Sequence, residues 1–185
     1  MSRQEIRFSG FGGQGIILSG QIVGKAATIF DNKYATLTQN YGPESRGGSC
    51  SVHLVVSEKP VLFPNVIDPS VQLLMSQEAF NKYYSAAPGG LVTLIDEDLV
   101  QPSGEVPSTG LLAIPATRIA GELGRKIVAN IVMLGSFAAA TSVVSEQALR
   151  QAIQSSVPRG TEELNTEAFN RGYRFAQELL RTAGP

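Results

Sequence analysis

The sequence predicts an α/β fold, in which a mainly parallel central sheet is covered by helical layers. Strand-like and helix-like segments alternate over the first two thirds of the chain, and the last third is helical. A glycine-rich turn separates the first strand from the first helix. The 185 residues, 43% of them hydrophobic, can form one core. We therefore expect a single domain over residues 1–185.

Strands are predicted where short apolar or alternating runs are bounded by turn residues. Alternation is clearest in the third run, where Cys50, Val52 and Leu54 fall on one face. The predicted strands are residues 5–9, 34–38, 49–56, 71–76, 91–95 and 111–114. A polar loop over residues 101–110 precedes the last strand, so the parallel core carries additional strands and long connections.

Helices are predicted where apolar residues recur at helical spacing between start and stop signals. Ser145 is a predicted N-cap. The Pro-Gly-Gly sequence at residues 88–90 is predicted to end the helix over residues 77–87. The predicted helices are residues 16–29, 77–87, 117–123, 129–140, 145–156 and 163–181. Residues 129–140 are apolar on all sides, which predicts burial or a subunit contact.

Charge and hydropathy exclude several classes of partner. The formal net charge is −1 and no cluster of Lys or Arg stands out, so neither nucleic acid nor an anionic membrane is expected as a partner. No apolar run approaches the ~18 residues of a spanning helix. The first residues lack the apolar segment of a secretory signal, so we expect a cytoplasmic protein.

Few residues can hold a redox cofactor or a metal. With one cysteine, Cys50, and one histidine, His53, the chain alone holds neither a disulfide nor a four-thiolate cluster. We expect Cys50 to be a small buried residue, and His53 to face solvent or to be hydrogen-bonded. The acidic residues Asp96, Glu97 and Asp98 are expected in a solvated loop, rather than around a metal.

The glycine-rich turn fits G-x-G-x-x-G between a strand and a helix, which makes the predicted sheet Rossmann-like. Its candidate binding residues are Gly10, Gly12, Gly13, Gln14 and Gly15. Backbone N–H groups and the helix dipole suit a phosphate or a carboxylate there. The acidic residue that binds ribose in dinucleotide sites is missing, since the second strand ends in Thr38, Gln39 and Asn40. Three interpretations stay open: an anion site, a dinucleotide site, and glycines that serve packing alone.

A second candidate loop follows the second strand. Its candidate residues are Tyr41, Gly42, Glu44, Ser45, Arg46, Gly47 and Gly48. If the second strand runs parallel to the first, both loops leave the same edge of the sheet, where ligands of open α/β sheets gather. Arg46 can clamp a phosphate or a carboxylate. An ion pair between Arg46 and Glu44 is the alternative.

The two loops together resemble the gamma subunit of 2-oxoacid:ferredoxin oxidoreductases. The resemblance rests on RFSGFGGQG at residues 7–15 and YGPESRGG at residues 41–48. It continues with Pro64 and with SQEAF at 76–80, NIVMLG at 130–135, and NTEAF at 165–169 followed by Gly172-Tyr173. The Tyr-Gly-Pro-Glu form is similar to that of the 2-oxoglutarate and branched-chain members.

The resemblance implies a complex that converts a 2-oxoacid, CoA and oxidised ferredoxin into acyl-CoA, carbon dioxide and reduced ferredoxin. It implies alpha and beta subunits, and in some members a delta subunit, as partners that hold thiamine diphosphate, magnesium and iron–sulfur clusters. This chain would then fold as a three-layer α/β domain, carry no catalytic residue, and assist CoA binding and assembly. Two alternatives remain, a purely structural interaction module and an independent dinucleotide-binding protein. Whether the isolated chain forms a homodimer is open.

Overall fold

A computed structural model describes residues 3–43, 47–84, 91–102 and 110–182. These residues form one six-stranded sheet with helices on both faces, which confirms the α/β prediction. The strands are β1 (Gln4–Phe11), β2 (Tyr34–Tyr41), β3 (Ser49–Ser57), β4 (Val71–Leu74), β5 (Val92–Asp96) and β6 (Leu111–Ile114). All six were predicted, with ends that differ by up to three residues. Of the predicted polar loop, residues 103–109 lie outside the described residues.

The sheet has the strand order β2-β3-β1-β4-β5-β6. The pairs β1–β4, β4–β5 and β5–β6 are parallel, whereas β3 is antiparallel to both of its neighbours, β1 and β2. Five strands therefore run in one direction and β3 runs against them. Since β2 and β1 point the same way, their carboxyl ends lie at the same edge of the sheet, as the placement of the second loop required.

In the part of the chain that the structure describes, six α-helices pack on the sheet or on one another. They are α1 (Ile16–Lys25), α2 (Gln77–Tyr83), α3 (Ala116–Glu122), α4 (Ala129–Ala140), α5 (Glu146–Gln154) and α6 (Glu162–Thr182). The first predicted helix ends differently, because α1 continues into a π-helical turn, Ala26–Phe30. The second ends earlier than predicted, since Tyr84 is already extended. Within the described ranges, no helix has the length and apolar content that crossing a membrane requires.

Most helices pack on one face of the sheet, which carries the main core. Ile6, Phe8 and Leu54 are buried there with side chains of α1 and α4. The rings of Phe8 and Phe137 meet edge to face, with centroids 5.6 Å apart. As predicted, α4 is buried on all sides from Ala129 to Phe137. The predicted N-cap is confirmed, since the Ser145 hydroxyl accepts a 3.1 Å hydrogen bond from the Ala148 amide.

The second face of the sheet is covered by α2, which completes the three layers. Phe80 of α2 is buried against Leu74 of β4 and Ile95 of β5. The side chain of Ser76 caps this helix by accepting a hydrogen bond from the Ala79 amide at 3.1 Å. The rest of this face, over β1, β2 and β3, is rich in polar side chains such as Thr38 and Ser51.

Candidate functional site

The glycine-rich loop and the second loop are bonded to each other at the carboxyl edge of the sheet. The Gly12 amide donates a 2.8 Å hydrogen bond to the carbonyl oxygen of Gly48. A Cβ on Gly12 would lie 3.3 Å from the Gly47 Cα, so any larger residue would press the loops apart. The structure therefore joins the two predicted segments into one site.

Gln14 folds inward and holds the glycine loop in place. Its Oε1 accepts a 2.6 Å hydrogen bond from the Phe11 amide, and its Nε2 donates a 2.7 Å bond to the carbonyl oxygen of Met75 after β4. The backbone N–H of Gln14 in turn donates a 3.2 Å hydrogen bond to the carbonyl oxygen of Phe11. Gly10 lies beneath it, where a Cβ would come within 2.9 Å of Ile16 Cδ1. Gly10 and Gln14 thus shape the loop from inside, facing away from the cleft described next.

A cleft of about 500 Å³ opens beside the two loops, on the face of the sheet that carries α1 and α4. The loop residues that line it are Gly12, Gly13, Gly15, Tyr41, Gly42, Gly47 and Gly48. Gly13 and Gly47 have positive φ angles of 95° and 68°. At either position, no heavy atom lies within 4 Å of the place that a Cβ would occupy. Their backbones are therefore open to a ligand that a side chain would displace.

Two helices begin at this cleft. Ile16, Ile17 and Leu18 of the first turn of α1 line it, together with Asn130 of the first turn of α4. The Nδ2 of Asn130 lies 3.4 Å from the Gly15 carbonyl oxygen and so ties the two helix starts together. Unpaired N–H groups and the helix dipole make the start of α1 locally positive. The helix α4 instead continues a 3-10 turn, Lys126–Val128, which pairs the Ala129 amide with the Lys126 carbonyl oxygen. The cleft thus combines a mainly apolar wall with an electropositive end.

Ile127 and Asn130 line the cleft but were not among the predicted site residues. A signal for Asn130 was present, because it is the only amide side chain in a helix whose one other polar side chain is Ser136. Ile127 gave no comparable signal, since nothing in sequence brings residue 127 near residue 13. Glu44, Ser45 and Arg46 lie outside the described residues, so the clamp and the ion pair both remain hypotheses.

The prediction of a solvated acidic loop is wrong for Asp96. Its side chain is fully buried at the end of β5, where it accepts hydrogen bonds from the Thr117 hydroxyl at 2.6 Å and from the Asp98 amide at 3.2 Å. Burial raises the pKa of this carboxyl, although its hydrogen bonds from Thr117 and Asp98 act in the opposite direction. Glu97 and Asp98 are more exposed, and both pair with Arg118. The cluster anchors α3 to the sheet.

Cys50 is buried as predicted, with 6% of its surface exposed, and burial raises its pKa. His53 is half-buried, so part of its side chain faces solvent as expected, while its Nε2 is buried without a hydrogen-bond partner. Burial, and next the charge of Arg7, lower the pKa of His53. In the described ranges, no three His, Cys, Asp or Glu residues gather where they could ligate a metal ion.

The family model described as pyruvate ferredoxin/flavodoxin oxidoreductase matches residues 5–175. The chain belongs to this family. The match spans both loops, the sheet from residue 5 onward and most of α6, which confirms the resemblance inferred from the loop sequences.

Within the oxidoreductase family, the chain is similar over nearly its whole length to subunits of about its own size. It is 51% identical to 2-oxoglutarate synthase subunit KorC of Methanocaldococcus jannaschii, over 96% of both chains. It is 33% identical to pyruvate synthase subunit PorC of Methanothermobacter thermautotrophicus, over 95% of this chain and 97% of the relative.

Solved structures of the oxidoreductase family share the fold. The gamma subunit of a keto/oxoacid ferredoxin oxidoreductase from Geobacter sulfurreducens superposes with a TM-score of 0.83 at 41% identity, over 96% of this chain and 98% of that one. A 2-oxoglutarate:ferredoxin oxidoreductase from Magnetococcus marinus has a TM-score of 0.84 at 21% identity. This chain covers 32% of that longer polypeptide, so the likeness there concerns the fold of one part.

Proposed function

We propose that this chain is the gamma-type subunit of a 2-oxoacid:ferredoxin oxidoreductase that acts on 2-oxoglutarate. The complex would convert the 2-oxoacid, CoA and oxidised ferredoxin into acyl-CoA, carbon dioxide and reduced ferredoxin. The 51% identity to a 2-oxoglutarate synthase subunit over 96% of both chains supports this choice of substrate. The proposed location is the cytoplasm.

The proposal divides the chemistry among several polypeptides. Alpha and beta subunits, and where present a delta subunit, would hold thiamine diphosphate, magnesium and the iron–sulfur clusters. A single cysteine in 185 residues supports this division, because a cluster needs about four thiolates. The chain itself would contribute a binding surface and no catalytic residue. Ferredoxin would meet the complex, and not this subunit alone.

The observation that carries the proposal is the cleft between the two loops and the two helix starts. Its volume of about 500 Å³ is in the range of ligand sites, although it suits only part of a molecule as long as CoA. The apolar wall fits the uncharged arm of CoA. The electropositive end and the open backbones of Gly13 and Gly47 fit its phosphates. The chain would thus orient CoA toward the reactive centre of its partners.

Arg46 would add charge to this cleft, since it directly precedes Gly47 in the chain. A charge-assisted hydrogen bond to a phosphate contributes ~1.5–3 kcal/mol. Its loss would weaken CoA binding by about ten-fold to a hundred-fold. The binding of the 2-oxoacid, which would take place on the partner subunits, should not change.

The test compares three variants in the assembled complex. Arg46→Ala should raise the KM for CoA about ten-fold, without changing the KM for 2-oxoglutarate. Ile127→Glu should also raise it, because it places an acid on the rim of the cleft. Ile29→Glu is the matched control, because the side chains of Ile127 and Ile29 are similarly exposed, at 65% and 67%. Residue 29 lies some thirteen residues after the start of α1 and therefore away from the cleft. An unchanged KM for CoA in both cleft variants would refute a direct contact.

A purely structural role is the second candidate, and the exposed rim of the cleft favours it. Tyr41 and Ile127 present 67% and 65% of their surfaces to solvent, as residues at a protein interface often do. If the cleft only docks onto a partner subunit, Ile127→Glu should release this chain from the complex and leave the KM for CoA of the remaining assembly unchanged. Size-exclusion chromatography of the complex separates this outcome from the first.

The dinucleotide alternative has less support from the topology. In a dinucleotide fold the strand after the first helix pairs with β1, and its end binds the ribose. Here the antiparallel β3 occupies that place, and β2 lies one strand further out. Titration of the isolated chain with nicotinamide and flavin dinucleotides should therefore show no tight binding.

A further inference from the structure

A row of polar side chains crosses the second face of the sheet. Arg7 of β1 is directly opposite His53 of β3 on one side and Gln72 of β4 on the other. Gln72 is in turn opposite Thr93 of β5. Since residues directly opposite each other project to the same face, these four side chains lie side by side. We call Arg7, His53, Gln72 and Thr93 the polar row.

Each member of the polar row has a buried atom that lacks a hydrogen-bond partner. These atoms are Arg7 Nε, His53 Nε2, Gln72 Oε1 and Thr93 Oγ1. Gln72 is 1% exposed and Thr93 is fully buried. Across the described ranges, no other buried side-chain nitrogen or oxygen is without a partner. Buried polar atoms are nearly always paired, and an unpaired one costs ~1–3 kcal/mol, so four adjacent ones indicate a missing ligand.

Burial lowers the pKa of Arg7, and the nearby Tyr83 and Glu5 oppose this effect, so the charge of the row is only partly compensated. The guanidinium of Arg7 lies 4.7 Å from the centre of the Tyr83 ring, and it forms no ion pair with any described residue. Glu5 lies on the same face of β1. Its carboxylate, however, is bound by Arg3 at 2.9 Å and by the amides of Ile67 and Asp68 at 2.5 and 3.0 Å. Ordered water would pair the polar atoms, but it would not neutralise a half-buried cation.

A cleft leads toward the row from solvent. It has a volume of about 240 Å³ and is lined by Ser9, Ser51, Lys82 and Tyr83, among others. Ser9 and Ser51 are opposite each other and lie two residues beyond Arg7 and His53 on the same strands. Tyr83 lines this cleft and also stacks on Arg7. None of the four row residues lines the cleft itself, which meets the polar row through Tyr83, and the cleft carries one acidic residue, Glu78, beside Lys82.

We propose that the polar row binds the carboxylate group of a small organic acid that enters through this second cleft. The planar guanidinium of Arg7 matches a carboxylate, and Thr93 and His53 supply further donors. Gln72 can turn its amide to present Nε2 in place of Oε1. The four row residues do not line the cleft of the proposed CoA contact, although the two clefts share the lining residues Tyr41, Gly42, Ser49 and Cys50.

His53 is the only histidine of the chain, so its imidazole signals report on the site alone in a proton NMR titration. In the isolated wild-type chain, malonate or acetate at constant ionic strength should raise the pKa of His53, because an adjacent anion stabilises the imidazolium. Chloride at the same ionic strength should not. The same titration should give a saturating dependence on malonate concentration.

Two variants and one control test the assignment. Arg7→Gln should weaken malonate binding about ten-fold or more, because it removes the charge partner. Thr93→Val should also weaken malonate binding, while it preserves the volume of the side chain. If Arg7→Gln does not fold, Thr93→Val still tests the proposal. Arg174→Gln should leave the response intact, since Arg174 is an exposed residue of α6, on the other side of the sheet.

Three results would overturn the proposal. The first is a His53 titration that malonate does not alter in the wild-type chain. The second is an equal response in the wild type and in both Arg7→Gln and Thr93→Val. The third is a crystal structure, grown with malonate, in which only water molecules bridge the four side chains.

Discussion

Gly172 of α6 packs against the backbone of Val132 of α4, so closely that a Cβ on Gly172 would overlap the Val132 carbonyl group and lie 2.8 Å from its carbon. Gly135 of α4 has the reciprocal relation to α6, where a Cβ would lie 2.9 Å from the Tyr173 nitrogen. The two helices thus meet at backbone distance. Because backbone atoms cannot turn aside as a side chain can, this contact excludes any larger residue.

Gly172→Ala should therefore lower the free energy of unfolding, by about 3 kcal/mol. Helix propensity alone predicts the opposite sign, a gain of ~1 kcal/mol. Urea denaturation followed by circular dichroism measures the difference. Gly121→Ala in α3 is the matched control, because its Cβ would meet only Lys126 Cε, at 4.0 Å. A stabilised Gly172→Ala variant would contradict the close packing of α4 and α6.

Gln14→Ala should destabilise the glycine loop. It removes the hydrogen bonds to the Phe11 amide and the Met75 carbonyl and leaves both groups without their partner. We expect a loss of ~1–3 kcal/mol in the free energy of unfolding and faster hydrogen exchange at residues 11–13. Gln21→Ala, at an exposed position of α1, should change neither quantity. Equal exchange rates in wild type and Gln14→Ala would show that Gln14 does not hold the loop.

Asp96 should make the protein less stable as the pH rises. Its pKa is raised in the folded state, so folding favours the protonated carboxyl. Ionising the buried carboxyl costs free energy of unfolding. This cost is absent below the ordinary pKa of an unfolded Asp, ~3.9, and it is complete above the raised pKa of Asp96 in the folded protein. From pH 7 to pH 4, the wild type should therefore gain free energy of unfolding relative to Asp96→Asn.

Thr117→Val provides the second arm of this experiment. The Thr117 hydroxyl donates to Asp96 Oδ2 at 2.6 Å and favours the charged carboxylate. Without this donor the pKa of Asp96 should rise further, so the loss of stability between pH 4 and pH 7 should be larger than in the wild type. Urea unfolding at several pH values measures both variants. A loss of stability toward low pH, relative to Asp96→Asn, would reverse the predicted sign.

Cys50 should resist thiol reagents in the folded protein. It is 6% exposed, and burial raises its pKa, which reduces the reactive thiolate. We expect its reaction with a disulfide reagent at pH 8 to be at least roughly a hundred-fold slower in buffer than in 8 M urea. A Cys50→Ala/Ile29→Cys variant, which places the thiol at an exposed position, should react at similar rates in both conditions. Rapid labelling of the native wild type would contradict the burial of Cys50.

The sequence predicted local structure well because the signals are local. Alternation located β3, and Ser145 located the start of α5, each within a residue. The antiparallel direction of β3 had no comparable signal, since it depends on which strand pairs with β1, and that is decided by packing between distant residues. The π-helical end of α1 had none either, because the apolar period continues unchanged through residues 26–30.

Site residues were predictable where the motif fixes the backbone, and less so where side chains decide. Gly12 and Gly13 line the cleft of about 500 Å³ beside the two loops, as the motif indicates. Gln14 occupies the same motif but turns inward, because the Met75 carbonyl and the Phe11 amide are within its reach. The burial of Asp96 and His53 depends on α3 and on neighbouring strands. Such contacts join residues that are far apart in sequence, so single-segment patterns do not reveal them.

The position of β1 between β3 and β4 has a consequence for how the molecule assembles. The strand nearest the amino terminus, Gln4–Phe11, is hydrogen-bonded along both sides, to segments that begin at Ser49 and at Val71. During synthesis, about sixty further residues must therefore be made before the second edge of β1 is paired. We expect this pairing of distant segments to limit the folding rate. A short deletion or a fused tag that perturbs residues 4–11 would disrupt the middle of the sheet, and not its margin.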